Sequence, residues 1–342
     1  MLLEELASCH GVSGSEGEVR ELLRCRLAPH VDAWETDALG NLIALKRGSA
    51  GDRPRVMLVA HQDEVGLIVT KIEKDGRLRF RAVGGVDQRV LPARAVEVGP
   101  RRVPGVIGSK PVHLQEPEER KRPFRMSELY IDVGAANETE ARELVALGDP
   151  VAFATRPLPF GEGRLKGKAF DDRAGCAVVA ELLQDRYPFP VYGVFTVQEE
   201  VGRRGAGVAA YRLQPDLALA FEGTTASDVP GSPPHLHSTV VGQGPAITVM
   251  DASLAVRPWL VERLRKVAAE RGIPYQLRRL NTGSTDAGQI AMTGAGVAAV
   301  TISVPTRYIH SPVTELDPAD LAKAVELARA FLANLAEEGM PQ

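Results

Sequence analysis

Gln198-Glu199-Glu200-Val201-Gly202 follows directly on the apolar run Val191-Tyr192-Gly193-Val194-Phe195-Thr196-Val197. A β-branched and aromatic run of this kind predicts a buried strand. Two adjacent carboxylates at its end must leave water at the rim of a core, which they resist unless something there needs them. Neighbouring side chains on a strand point to opposite sides. One Glu can therefore hold a metal ion while the other faces the water that the ion activates.

Other predicted strands end in the same way. Val56 to Ala60 delivers His61-Gln62-Asp63-Glu64, Leu217 to Phe221 delivers Glu222, and Val297 to Val304 runs on to His310. Lys168-Ala169-Phe170-Asp171-Asp172 introduces a helix with two carboxylates. In open α/β sheets, ligands bind outside the carboxyl ends of the strands. Two His and several Asp/Glu on one sheet edge suit a pair of divalent metals with nitrogen and oxygen ligands. Taken singly, each piece has a plainer reading. A strand-end His is more often structural, Asp171-Asp172 reads equally well as a helix N-cap pair, and Glu222 reads as a surface residue. His61-x-Asp63 says more, because a metal-bound imidazole wants a carboxylate on its other nitrogen. The joint occurrence carries the argument.

Several other features read as structural. His235 and His237 lie in a Pro-rich loop, and His10, His30 and His113 have no supporting context. Gly202-Arg203-Arg204-Gly205-Ala206-Gly207 looks like a phosphate loop but lacks the Lys-Ser/Thr ending. Thr282 to Gly288 opens a helix with hydroxyls and a carboxylate, as caps or as a substrate grip. Cys9, Cys25 and Cys176 are odd in number and unpatterned, which predicts reduced, buried thiols.

The elements that must position these residues follow from periodicity. Ser15 and Glu18 have capping-box spacing ahead of a stripe of Val19, Leu22, Leu23 and Leu27. Strands are expected at 41–45 and 56–60. From about residue 67 the texture becomes short strands punctuated by Gly and Pro, with a hairpin around Asp75-Gly76. Further strands are expected at 95–98, 103–107 and 151–153. A charged, Pro-rich stretch, Gln115 to Arg125, reads as a solvated loop. After Gly163, helices at 172–183, 203–213, 257–271 and 318–335 alternate with strands at 191–197, 217–221, 246–250 and 297–304. This predicts an α/β domain, residues 1–68 and 164–342, with a parallel or mixed sheet covered by helices on both faces. A small β-barrel-like module at 69–163 interrupts it.

Composition is that of a globular chain. Of 342 residues, 44% are hydrophobic and 25% charged, which supports a packed core. A net charge of −3 gives no basic excess for nucleic acid or an anionic membrane. The N-terminus has no basic n-region or long apolar segment, so a cytoplasmic location is expected.

His61-Gln62-Asp63-Glu64-Val65-Gly66, Ala169-Phe170-Asp171-Asp172-Arg173-Ala174-Gly175, Gln198-Glu199-Glu200-Val201-Gly202 and Tyr308-Ile309-His310-Ser311-Pro312 together resemble the dimetal aminopeptidases that form tetrahedral dodecamers. That family also carries the names glutamyl aminopeptidase and endoglucanase. The resemblance spans nearly the whole chain. It implies that His61 and Glu222 bind one metal, that Glu200 and His310 bind the other, and that Asp171 bridges them, with Asp172 as fallback. It implies Glu199 as general base and Asp63 as the group orienting His61. Many members have Asp where this chain has Glu222. The metals implied are two divalent ions, Zn, Co or Mn, and the substrates are peptides with a free N-terminus. The inserted module would build dimers that assemble further. A glycoside hydrolase is the first rival. It needs two carboxylates flanking a sugar bond, but aromatic residues are only 5% and both His would be idle. A dimetal N-acyl amino acid deacylase is the closer rival.

Overall fold

The computed structural model describes residues 1–279 and 283–341. Helices α1 (Leu2–Ser8) and α2 (Gly17–Leu27) precede strands β1 (Ala33–Thr36), β2 (Leu42–Lys46) and β3 (Val56–His61). Val19, Leu23 and Leu27 form the buried stripe of α2. The expected capping box does not form. Ser15 is held in a turn by its own N–H to the Val12 carbonyl, so α2 starts after Glu16. Glu18 instead accepts the His10 N–H and pairs with Arg102. Cys9 and Cys176 are buried, but Cys25 is exposed, on the side of α2 away from that stripe.

Six strands then close a barrel: β4 (Gly66–Ile72), β5 (Leu78–Val83), β6 (Ala95–Val98), β7 (Val103–Gly108), β8 (Tyr130–Asp132) and β9 (Pro150–Phe153), with α3 (Glu138–Leu144) before the last. Their order is β4-β5-β8-β7-β6-β9. Closure leaves no edge to template further pairing. Leu67, Val69, Leu78, Phe80, Val96, Val98 and Ile131 alternate into its core. Gly76 sits at φ +82°, where the hairpin turn needs a residue free of a Cβ. The charged stretch between β7 and β8 is largely exposed and is laced by the ion pairs Lys110–Glu119 and Arg122–Glu128.

The chain returns through β10 (Leu158–Phe160), β11 (Arg164–Gly167), α4 (Phe170–Leu182), β12 (Val191–Thr196), α5 (Arg204–Leu213), β13 (Leu217–Thr225) and β14 (Ala246–Ile247). It ends with α6 (Pro258–Arg271), β15 (Gln276–Leu277), α7 (Asp286–Ala291), β16 (Ala298–Arg307), β17 (Thr314–Leu316) and α8 (Pro318–Glu338). The eleven-stranded sheet runs β1-β2-β12-β3-β13-β16-β17-β11-β10, with β14 and β15 attached beside β16. Its central strands β12, β3, β13 and β16 are mutually parallel, and its flanks are antiparallel. The sheet is therefore mixed. β3 is buried along its whole length, as a strand covered on both faces must be. Helices α1, α4, α6 and α8 cover one face, and α5 and α7 the other. The strand expected at 246–250 stops at Ile247. Asp251 accepts the N–H groups of Ser253 and Leu254 and turns the chain there. Among the described residues no helix is long and apolar enough to cross a membrane.

Candidate metal centre

Met57 and Val59 of β3 face α5 and α7, as do Ala218 and Ala220 of β13. The two-residue period carries that face onward to His61 and Glu222. Parallel pairing sets Val59 beside Ala220, so the two side chains emerge as neighbours at the carboxyl edge. His61 Nε2 lies 3.3 Å from Asp171 Oδ1 and 3.4 Å from Glu222 Oε2. His310 Nε2 lies 3.3 Å from Asp171 Oδ2 and 3.3 Å from Glu200 Oε2. Asp171 thus offers one oxygen to each imidazole.

These separations have a physical reading. A tetrahedral ion with bonds of ~2.0–2.1 Å holds its ligand atoms roughly 3.3–3.4 Å apart. All four contacts match that edge length. Asp171 Oδ1 and Glu200 Oε1 are buried and find no hydrogen bond among the described residues. Buried carboxylate oxygens in that state call for a cation. The residues present therefore fit a pair of divalent ions.

Asp172 is close enough to His61 and Glu222 to share an ion. Its oxygens are already taken, however: Oδ2 accepts the His61 N–H at 3.1 Å and Oδ1 the Gly175 N–H at 2.8 Å. Asp171, whose Oδ1 finds no hydrogen bond among the described residues, is the freer of the two to meet an ion. The start of α4 can come this near β13 because glycines meet it. A Cβ on Gly223 would approach Asp171 Cα at 2.8 Å, and one on Gly175 would collide with the Asp172 carboxylate and the Phe221 carbonyl.

Asp63 has two jobs. Its Oδ1 lies 3.4 Å from His61 Nδ1. It also accepts the Ser13 hydroxyl at 2.6 Å and the N–H groups of Glu199 and Glu200 at 3.0 and 3.2 Å. Burial opposes its charge, but His61, Ser13 and the Glu199 N–H outweigh that and hold Asp63 below its ordinary value.

The remaining carboxylates crowd one another. Burial raises Glu199 well above the usual carboxylate range; His61 opposes this, while Glu222, Asp286 and Glu200 add to it. Burial and Asp171 push Glu200 up to about 8. Burial works against charge on His310, but Asp171 and Glu200 overcome it and raise the imidazole to about 9. His310 sits at φ +58° in the loop after β16, and Gly84 and Gly85, just beyond β5 of the barrel, lie against Glu200 and its ring. A Cβ on Gly85 would be 3.1 Å from His310 Nδ1.

The sequence-predicted residues Asp63, His61, Asp171, Glu200, Glu222 and His310 thus meet at one edge, with Glu199 between Glu200 and the Asp63 carboxylate that holds its N–H. His237 and His10 lie elsewhere, Nε2 of the first at 3.0 Å from the Ser232 carbonyl and that of the second at 2.5 Å from Glu97. Asp286, expected from the sequence as a cap or a substrate grip, sits beside Glu222. It is buried, accepts the Thr196 hydroxyl at 2.5 Å, and presents its N–H to Glu222 Oε1 at 3.4 Å. Burial and Glu222 raise it to about 7. Thr285 does not cap α7 with its side chain, which bonds to the Thr301 hydroxyl at 2.9 Å. Thr282 of the same segment lies outside the described residues.

Comparison with known proteins gives the family. The family model described as M42 glutamyl aminopeptidase matches residues 40–327. A lysyl aminopeptidase of Pyrococcus furiosus is 33% identical, over 98% of this chain and 96% of its own. The crystal structure of a TET aminopeptidase from a marine sediment Thaumarchaeota archaeon superposes with a TM-score of 0.95 at 39% identity, covering 99% of this chain and 96% of that one. The TET1 peptidase of Pyrococcus horikoshii, which can assemble into a tetrahedron or a large octahedral shell, has a TM-score of 0.85 at 32% identity, covering 97% and 98%. With most of its length matched by the family model and by relatives above 30% identity, the chain belongs to the M42 glutamyl aminopeptidase family.

Proposed function

We propose that this chain is a metal-dependent aminopeptidase that uses two divalent ions and a Glu199 general base to remove the N-terminal residue of peptides. The observation that carries the reading is Asp171, whose two oxygens each face an imidazole at 3.3 Å. His61, Glu222 and Asp171 would hold one ion, and His310, Glu200 and Asp171 the other. Bound there, a divalent pair supplies Lewis-acid polarisation of the scissile carbonyl and a water of lowered pKa. Glu199 would accept a proton at its carboxylate from the attacking water and hand it to the leaving amine. Asp63 keeps Glu199 and Glu200 in place through their backbone N–H groups while facing the His61 ring.

The barrel region, residues 69–163, is proposed as the dimer-building module of a larger homo-oligomer. Exposed Val112 and Leu114 in its long β7–β8 connection support this, since apolar residues so placed mark contact surfaces. The deciding experiment combines elemental analysis with a panel of fluorogenic amino-acid amides and their N-acetylated forms. Two Zn, Co or Mn ions per subunit are expected, with activity lost on chelation, restored by metal, and absent on acetylated substrates. Hydrolysis that survives complete metal removal would overturn the reading, and release of acetate in place of the fluorophore from the acetylated forms would make the enzyme a deacylase.

A further inference from the structure

Arg173, Lys168 and Glu64 are each 0–1% exposed, and nothing in the proposed chemistry uses them. Lys168 Nζ donates to both Glu64 oxygens, at 2.7 and 2.9 Å, and to the Cys9 carbonyl at 2.7 Å. Glu64 Oε1 also accepts the Gly11 N–H at 3.0 Å. Arg173 donates through Nε to the Leu6 carbonyl at 3.1 Å and through Nη1 to the Gln62 carbonyl; it reaches the Asp63 carbonyl and Glu64 Oε1 at 3.4 Å. Taking two cations and one anion out of water is unfavourable unless their geometry secures something an apolar core would not.

What they secure is the backbone that follows His61. The first turn of α4 meets that segment with three consecutive residues. Asp171 faces the His61 ring, Asp172 holds the His61 N–H, and Arg173 holds the carbonyls of Gln62 and Asp63. Building on the proposed two-ion reading, we infer that Arg173, braced by the Lys168–Glu64 pair, is a positioning residue of the metal centre. It fixes segment 61–64 against α4 so that His61 and Asp171 meet at the separation a shared ion needs. A Lys in its place would keep the charge but lose the planar fork that reaches several carbonyls at once.

The test uses Arg173→Lys in the full chain, with Co(II) as the probe. Metal-stripped protein is titrated with Co(II), its visible absorption is recorded, and hydrogen exchange of amides 61–64 is followed without metal. The expected result is Co(II) binding weakened about 10–100-fold, as for other losses behind a metal ligand. An altered absorption band and faster exchange confined to 61–64 should accompany it. At saturating metal, kcat on an amino-acid amide should fall while KM stays within about twofold, since the change concerns the ions more than substrate binding. Tyr187→Phe, which removes a buried hydrogen bond to the Leu182 carbonyl, serves as the stability control. Should Arg173→Lys fail to fold, Glu64→Gln keeps the side-chain size and tests the same brace. Wild-type Co(II) affinity and wild-type exchange at 61–64 overturn the inference. So does a loss that merely tracks melting temperature as in the control. Because exchange is read without metal, it stands even if the wild-type chain proves not to be an aminopeptidase.

Discussion

At the residue scale, Glu199 and His310 give the sharpest expectations. In the proposed arrangement Glu199 holds neither ion, so Glu199→Gln should retain both metals by elemental analysis. Its turnover on an amino-acid amide should fall on the order of 10²–10⁴-fold, the worth of a positioned base. His310 is raised to about 9 in the metal-free chain, against burial, by Asp171 and Glu200. A raised imidazole favours the folded state fully below about 6.5, its ordinary value, and that contribution fades as pH climbs toward 9. Metal uptake must displace the same proton. Co(II) affinity should therefore rise steadily from pH 6 to pH 8, with proton release detected by titration in two buffers of different ionisation enthalpy. A flat affinity profile would remove His310 from the ligand set. His61, Glu199, Glu200 and Glu222 stood out in the sequence because each follows an apolar run, whereas Asp171 opens a helix and His310 follows a loop. The second job of Asp63 was not legible there. It depends on residues 199 and 200 arriving beside residue 63, and no local pattern encodes that encounter.

At the element scale, the opening turn of α4 is where sheet, helix and site touch. Gly175 lets that turn rest on the end of β13, and an added methyl would meet the Asp172 carboxylate and the Phe221 carbonyl. Gly175→Ala should destabilise the chain by about 1–3 kcal/mol in a denaturant titration, the usual effect of forcing volume into a packed site. It should also lower bound metal, because Asp172 would be driven off the His61 N–H. An alanine variant with native stability and full metal content would show that this approach is looser than drawn. The long elements were readable from periodicity: β3, β12, β13, β16, α6 and α8 fall within a few residues of expectation. The short β6 and β9 were readable as well, but other short strands were not. β1, β10, β15 and β17 span two to four residues each and owe their existence to a neighbouring strand. The capping box failed for a related reason. Glu18 found a better partner in Arg102, 84 residues away. Arg173 was hidden because a charge within the small apolar run of α4 reads as solvent-facing, whereas it is the largest fully buried side chain in the molecule's described part.

At the scale of the whole molecule, the sheet supplies the chemistry and the barrel the proposed contacts. Sedimentation of the purified chain should show a species many times the 36.8 kDa subunit mass. Val112→Glu and Leu114→Glu together should reduce it to a smaller form without loss of fold by circular dichroism. If the doubly charged variant sediments like the parent, the contact surface lies elsewhere. The barrel is also threaded between the two halves of the centre, after His61 and before Asp171, and its Gly84-Gly85 corner leans on His310 and Glu200. Excising it to make a minimal hydrolase, by stitching Gly66 to Arg164, would therefore amputate one wall of the seat proposed for the second ion. A protein engineer seeking a monomer should resurface the β7–β8 connection and leave that pair of glycines where they are.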